Sequence, residues 1–182
     1  MSRTQWKLAF FTLPEYEDEQ DWLREQHLQG RKLTGVVAPC FYRFEPCEPE
    51  DVVYQLDYNP EGMAHPGEYI RLFADCGWEY VAKMVGYSYF RKPAAKMQGD
   101  EEIFCDDESR LAMLKRVFRG KMIPLLVLFF CCILPQLFLQ YHLGDGLNRF
   151  LFGVYVLLLL LYIVVFFKFG RQYWSLWHKA GR

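Results

Sequence analysis

The run FLFGVYVLLLLLYIVVFF, Phe150–Phe167, holds neither a charge nor a proline. A helix needs about 20 mainly apolar residues to cross a hydrocarbon core, whereas a buried helix of a soluble domain shows a polar stripe or ends sooner. This run therefore reads as a transmembrane helix. On its N-terminal side a second apolar run, Met122–Tyr141, carries Pro135, Gln136 and Gln140. It is the weaker of the two, but a proline is tolerated in a membrane helix when neighbours satisfy the freed carbonyl. The connection HLGDGLN contains Gly144-Asp145-Gly146, a turn signal suited to a tight reversal. Together the runs predict a transmembrane hairpin over residues 121–141 and 150–168.

The flanking charges set an orientation. Lys115, Arg116, Arg119 and Lys121 precede the first run, and Lys168, Arg171, Lys179 and Arg182 follow the second. The connecting loop has no Lys or Arg, apart from Arg149 at its far edge. Positive charge gathers on the cytoplasmic side, so both termini are expected in the cytoplasm. Leu8–Leu13 is too short for a signal-peptide core, and an acidic stretch follows it at once. Residues 1–93 are then a cytosolic domain and residues 169–182 a basic cytosolic tail.

Composition narrows the function classes. A formal net charge of −1 gives no overall basic surface for nucleic acid. The six cysteines are irregularly spaced without a Cys-x-x-Cys, and Cys131 and Cys132 fall inside the first apolar run. In a reducing cytosol they read as free thiols. His27, His65, His142 and His178 stand at no ligand spacing from them, so neither a metal nor another cofactor is expected. There is no Gly-x-Ser-x-Gly, phosphate-binding glycine loop or His-Glu-x-x-His, and no nucleophile is paired with a base. The acids of Glu15–Asp21 read as the solvated, dipole-favoured start of a helix. Catalytic residues are not expected.

The front of the chain repeats itself. Trp6–Thr12 is a β-rich run, and Pro14 opens a helical stretch with Trp22, Leu23 and Leu28 inward and Gly30 as its stop. Lys32–Val37 and Cys40–Glu45 read as strands parted by Ala38-Pro39. Val52–Tyr58 is the next strand, followed by the turn-rich Asn59-Pro60-Glu61-Gly62. A helix over Glu68–Cys76 stops at Gly77, and strands Trp78–Met84 and Tyr87–Arg91 turn at Gly86. Asp21-Trp22-Leu23-Arg24 and Glu68-Tyr69-Ile70-Arg71 share one pattern, and each aromatic stands at the same distance from its stop glycine. The expected fold class is α+β: a duplicated strand-helix-strand-strand antiparallel sheet with two helices on one face, followed by the transmembrane hairpin.

Helices on one face leave the other open. Alternation along Val52–Tyr58 turns Val52, Tyr54, Leu56 and Tyr58 inward and leaves Val53, Gln55 and Asp57 outward. Elsewhere neither face is polar: Trp6, Leu8 and Phe10 oppose Lys7, Ala9 and Phe11, and Phe41 and Arg43 oppose Tyr42 and Phe44. Arg43, Gln55, Asp57 and Tyr89 are the candidate ligand or partner face, polar anchors among rings, able to cover a small molecule, a second copy or another protein. The plainer alternatives are that rings fill a thin core and that Asp57 shapes the adjacent turn. Residues 94–120 form an acidic linker and a basic juxtamembrane segment. Ser109–Phe118 is either an amphipathic helix on the anionic inner leaflet or the ordinary positive flank of a membrane helix.

Asp21-Trp22-Leu23, Tyr54-Gln55-Leu56-Asp57-Tyr58-Asn59-Pro60, Gly77-Trp78-Glu79-Tyr80-Val81 and Tyr89-Phe90-Arg91-Lys92-Pro93 resemble the bacterial domain-of-unknown-function family 2812 over about residues 5–93. Gly30-Arg31 departs from the Gly-Trp pair common there. The resemblance implies a bacterial inner-membrane protein, paired membrane helices and a link to PadR-type transcriptional regulators, with no established activity. The reading is then a membrane-anchored sensor or interaction domain with a regulatory role. Its rival is an accessory subunit of a larger membrane complex such as a transporter.

Overall fold

The computed structural model describes residues 4–12, 15–38, 40–97, 107–143 and 146–180. Expectations placed on Pro14, Pro39, Cys105, the acidic stretch through residues 98–106, Gly144-Asp145 and Arg182 lie outside the described residues. The chain divides into two compact units, Met1–Met113 and Leu114–Arg182.

In the first unit the order is β1 (Gln5–Leu8), α1 (Tyr16–Leu28), β2 (Arg31–Val37), β3 (Phe41–Pro46), β4 (Val52–Tyr58), α2 (Pro66–Asp75), β5 (Glu79–Met84) and β6 (Tyr87–Pro93). The strand-helix-strand-strand unit occurs twice, as the repeated sequence pattern requires. All ladders are antiparallel, in the orders β1-β3-β2 and β4-β6-β5, so each copy places its third strand in the middle. Each copy also carries a register shift in its second strand, between Leu33 and Gly35 and between Tyr80 and Ala82. Both helices end as their glycines dictate. Gly30 and Gly77 have φ of 76° and 80°, a left-handed conformation that costs other residues a Cβ clash. At the second stop the Trp78 amide also bonds back to the Phe73 carbonyl at 3.0 Å.

The strands form two three-stranded sheets, where the repeat alone suggested one. β2 lies against β5, but the gap is bridged by side chains. The Leu33 carbonyl accepts from Arg91 Nη1 at 2.8 Å, and its amide donates to Tyr54 Oη at 3.4 Å. Arg91 is held in turn by Glu79, with Nε donating to Oε2 at 2.8 Å. Register shifts on both facing strands break the spacing that a continuous ladder needs.

The helices do not share one face either. On β4, Tyr54 reaches His27 of α1 while Asp57 reaches Tyr69 of α2; residues three apart in a strand point to opposite sides. On β6, Tyr89 meets Glu19 of α1 while Phe90 packs against Tyr69 and Phe73 of α2. The sheet β4-β6-β5 is therefore covered on both sides, and its core on the α2 side is Tyr69, Trp78 and Phe90. α1 also packs on the first sheet, with the Trp22 ring 5.0 Å from Tyr42 and 5.8 Å from Phe44. Its inward residues are Tyr16, Glu19, Leu23, Gln26 and His27, whereas Leu28, expected inside, is exposed.

The second unit is helical. α3 (Asp107–Val117) leads into it and continues through a π-helical turn (Phe118–Met122), α4 (Ile123–Leu128), a second π-helical turn (Phe129–Ile133) and α5 (Leu134–Leu143); α6 (Gly146–Ala180) packs back on α5. Arg110–Leu139 and Arg149–Ser175 are long and apolar enough to cross a membrane. Only 11% and 6% of their most apolar windows are buried, so this apolar surface is left uncovered within the described residues. Phe129 stacks on Tyr162 at 5.4 Å between the two.

Candidate functional site

The open face of the first unit belongs to β1-β3-β2. Cross-strand partners share a side, and the register pairs Trp6 with Arg43 and Leu8 with Phe41 on one flank, Gly35 with Arg43 and Val37 with Phe41 on the other. The opposite side carries Lys7, Tyr42 and Phe44 toward α1, where Lys7 Nζ donates to Gln26 Oε1 at 2.7 Å. On the outer side Trp6 is 56% exposed, Leu8 70%, Val37 53% and Phe41 42%. Four large apolar groups in two adjacent rows form a patch rather than scattered exposure.

Arg43 lies in the middle of this patch and bonds to its neighbour Thr34 on β2. Its Nε donates to Thr34 Oγ1 and its Nη2 to the Thr34 carbonyl, both at 3.2 Å, while Thr34 Oγ1 donates back to the Arg43 carbonyl. Gly35 makes room for this, since a Cβ built there would stand 3.3 Å from the guanidinium. The result is a pre-ordered cation among apolar side chains.

The other three expected face residues are elsewhere. Asp57 is buried at 3% exposure and accepts from Tyr69 Oη at 2.6 Å, under α2. Gln55 is buried on that same α2 side, opposite Phe90. Tyr89 is buried under α1. β4 is an edge strand of its sheet, and both its faces are covered, so alternation along it marks no open side. In the turn that follows, the Gly62 amide is taken by Asn59 Oδ1 at 2.9 Å. Only Arg43 of the four stands on an open face.

Tyr89 belongs instead to a buried polar centre. Glu19 Oε1 accepts from Tyr42 Oη at 2.7 Å and from Tyr89 Oη at 2.6 Å. Burial pushes the Glu19 carboxyl pKa up, and the two hydroxyl bonds oppose that rise. Burial, then the neighbouring Glu19 charge, pushes both phenols above their ordinary range. Nearby, His27 Nδ1 lies 2.8 Å from Tyr54 Oη, and burial with the charge of Arg91 pulls its pKa down. These groups tie α1 to both sheets. Glu19 lies in the acidic run that reads as solvated, yet its spacing from Leu23 and Gln26 along the helix marks the buried side. Trp6, Leu8, Val37 and Phe41 carry no sequence signal of an open face, because apolar residues on a strand read first as core.

Among the described residues no group of three or more His, Cys, Asp or Glu is placed to hold a metal ion. Cys40, Cys47, Cys76, Cys131 and Cys132 are free.

Fold and site together define a duplicated α+β domain joined to two helices long and apolar enough to span a membrane. The chain belongs to the family described as protein of unknown function DUF2812, whose model matches residues 15–128. No curated protein and no solved structure matches it.

Proposed function

We propose that this chain is a bacterial membrane-anchored interaction protein with a regulatory role, acting by binding rather than by catalysis. The two apolar helices hold it as a hairpin with both termini in the cytoplasm, a reading supported by the Lys and Arg residues outside the two runs and their scarcity between them. The outer face of β1-β3-β2 takes a protein partner. The observation that carries this is the exposed group Trp6, Leu8, Val37 and Phe41 around Arg43, which is hydrogen-bonded to Thr34. Trp and Arg dominate binding energy at protein interfaces, and an arginine already ordered loses little freedom on docking. An acidic group within an apolar surface is its natural complement.

The test uses the full chain in mild detergent, with a PadR-type regulator as the probe that the family resemblance suggests. Wild type retains the regulator, while Phe41→Asp and Arg43→Glu lose it without lowering the melting temperature. If both variants retain it and replacement of the two apolar helices releases it, the contacts lie in the helices and the accessory-subunit reading stands.

A further inference from the structure

The helical unit contains a cavity of about 460 Å³ lined by Lys115, Phe118, Arg119, Ile123, Phe169, Gly170 and Tyr173. It joins the start of the first apolar segment to the end of the second. Both sit toward the same edge of the spans, which on the membrane-anchored reading faces the headgroups. Its wall is largely aromatic: Phe118 stacks on Phe169 at 5.8 Å, and Phe169 on Tyr173 at 6.3 Å. Besides the Tyr173 hydroxyl, its polar side-chain groups are two cations. Lys115 and Arg119 lie one turn apart on one side of the helix, exposed, with no ion-pair partner among the described residues. The π-helical turn that begins at Phe118 contains Arg119, and such turns often mark functional positions.

Gly170 keeps the space open. It sits inside α6, where glycine costs about 1 kcal/mol relative to alanine, and a Cβ there would meet nothing within 4 Å. No crowding explains the missing side chain, and Gly170 is one of the residues that line the cavity, so bulk added there tests whether the space is used.

We infer that this cavity binds an anionic phospholipid from the cytoplasmic leaflet, with the phosphate on Lys115 and Arg119 and the glycerol and upper acyl chains against Phe118, Phe169, Tyr173 and Ile123. The inference rests on the membrane-anchored reading above. A free anion would satisfy the two cations but not the apolar wall, and a zwitterionic lipid would bring its own headgroup cation up against Lys115 and Arg119, which repel it. The pairing of the two features in one cavity selects an anionic lipid.

The experiment is native mass spectrometry and thermal unfolding of the full chain in mild detergent, titrated with phosphatidylglycerol, phosphatidylethanolamine or inorganic phosphate. Membranes are first washed at alkaline pH. Release of the chain by that wash would refute the anchor itself, separately from the lipid site. For a chain that stays in the membrane, phosphatidylglycerol binds and stabilises preferentially. K115Q/R119Q lowers that preference about 30-fold, the attraction expected of two surface cations. Gly170→Leu lowers it comparably with both charges intact. Equal binding of the two lipids by wild type, or undiminished preference in either variant, overturns the site. Equal stabilisation by inorganic phosphate shows a free-anion site and overturns the lipid assignment.

Discussion

Replacing Glu19 tests whether the buried centre is held by one shared acceptor. Glu19 Oε1 takes both the Tyr42 and the Tyr89 hydroxyl, and each tyrosine is only 1% exposed. Glu19→Leu removes the acceptor and strands two buried donors. At about 1–3 kcal/mol per orphaned group the loss is about 2–6 kcal/mol, against a total stability of about 5–15 kcal/mol for a domain. Glu19→Gln keeps a carbonyl acceptor and discards a charge that burial disfavours, so it should stay within about 1 kcal/mol of wild type near neutral pH. The pH dependence carries a sign. Because burial raises the folded pKa of Glu19, the native chain binds a proton that the unfolded chain lacks between the ordinary value of 4.5 and the raised one. Its contribution is fully present below 4.5 and is lost as pH rises through the folded pKa. The advantage of Gln over Glu should therefore grow with pH and then level off. Urea unfolding of the full chain in mild detergent, followed by tryptophan fluorescence at several pH values, measures all three. Wild-type stability in the Leu variant, or equal damage from Gln and Leu, would refute the shared-acceptor account.

Three further outcomes follow from the geometry. Met84 pairs with Tyr87, leaving Val85-Gly86 as a two-residue hairpin turn with φ of 51° and 93°; Val85→Asn should raise stability by about 1 kcal/mol in thermal unfolding, since a β-branched residue is ill suited to the left-handed region. A fragment of residues 4–97 should be soluble and unfold in one cooperative transition, because β1 to β6 and both packing helices lie within it; a fragment ordered only with lipid would show a core shared with the helical unit. Reporters active only outside the cell should be silent when fused after Arg182 and active when inserted near Asp145, and the reverse pattern would put the domain outside.

Periodicity and punctuation carried most of the fold. Val52–Tyr58 is bounded by Asp51 and by the Asn59-Pro60 turn, and β4 has those same ends. Gly30 and Gly77 are legible because a left-handed stop has a chemical signature in the residue type. Pairing is a different matter. Tyr89 and Glu19 stand 70 residues apart, and nothing in either neighbourhood announces the bond. The same holds for Asp57 under Tyr69 and for Arg91 on the Leu33 carbonyl. A polar residue on a strand reads as outward until a distant donor is known, which is why Gln55 and Asp57 read as outward although they are buried, while Arg43 is exposed.

The location of the open face follows from an uneven distribution of helices. Two three-stranded sheets present four faces, and α1 and α2 are only two helices. α1 serves two faces, placing Trp22 on Tyr42 and Phe44 of the first sheet and Tyr16, Glu19 and His27 on Tyr87, Tyr89 and Tyr54 of the second. α2 serves the far side of the second sheet through Tyr69 and Phe73 on Phe90. The face left without either helix is that of Trp6, Leu8, Val37, Phe41 and Arg43. Under the internal duplication its counterpart on the second sheet is the very face that α1 covers, where Glu19 supplies an acidic acceptor among rings. A partner helix with an acidic group set among apolar residues would therefore repeat on the first sheet what α1 does on the second, with Arg43 in place of the Tyr89 hydroxyl as the group it meets.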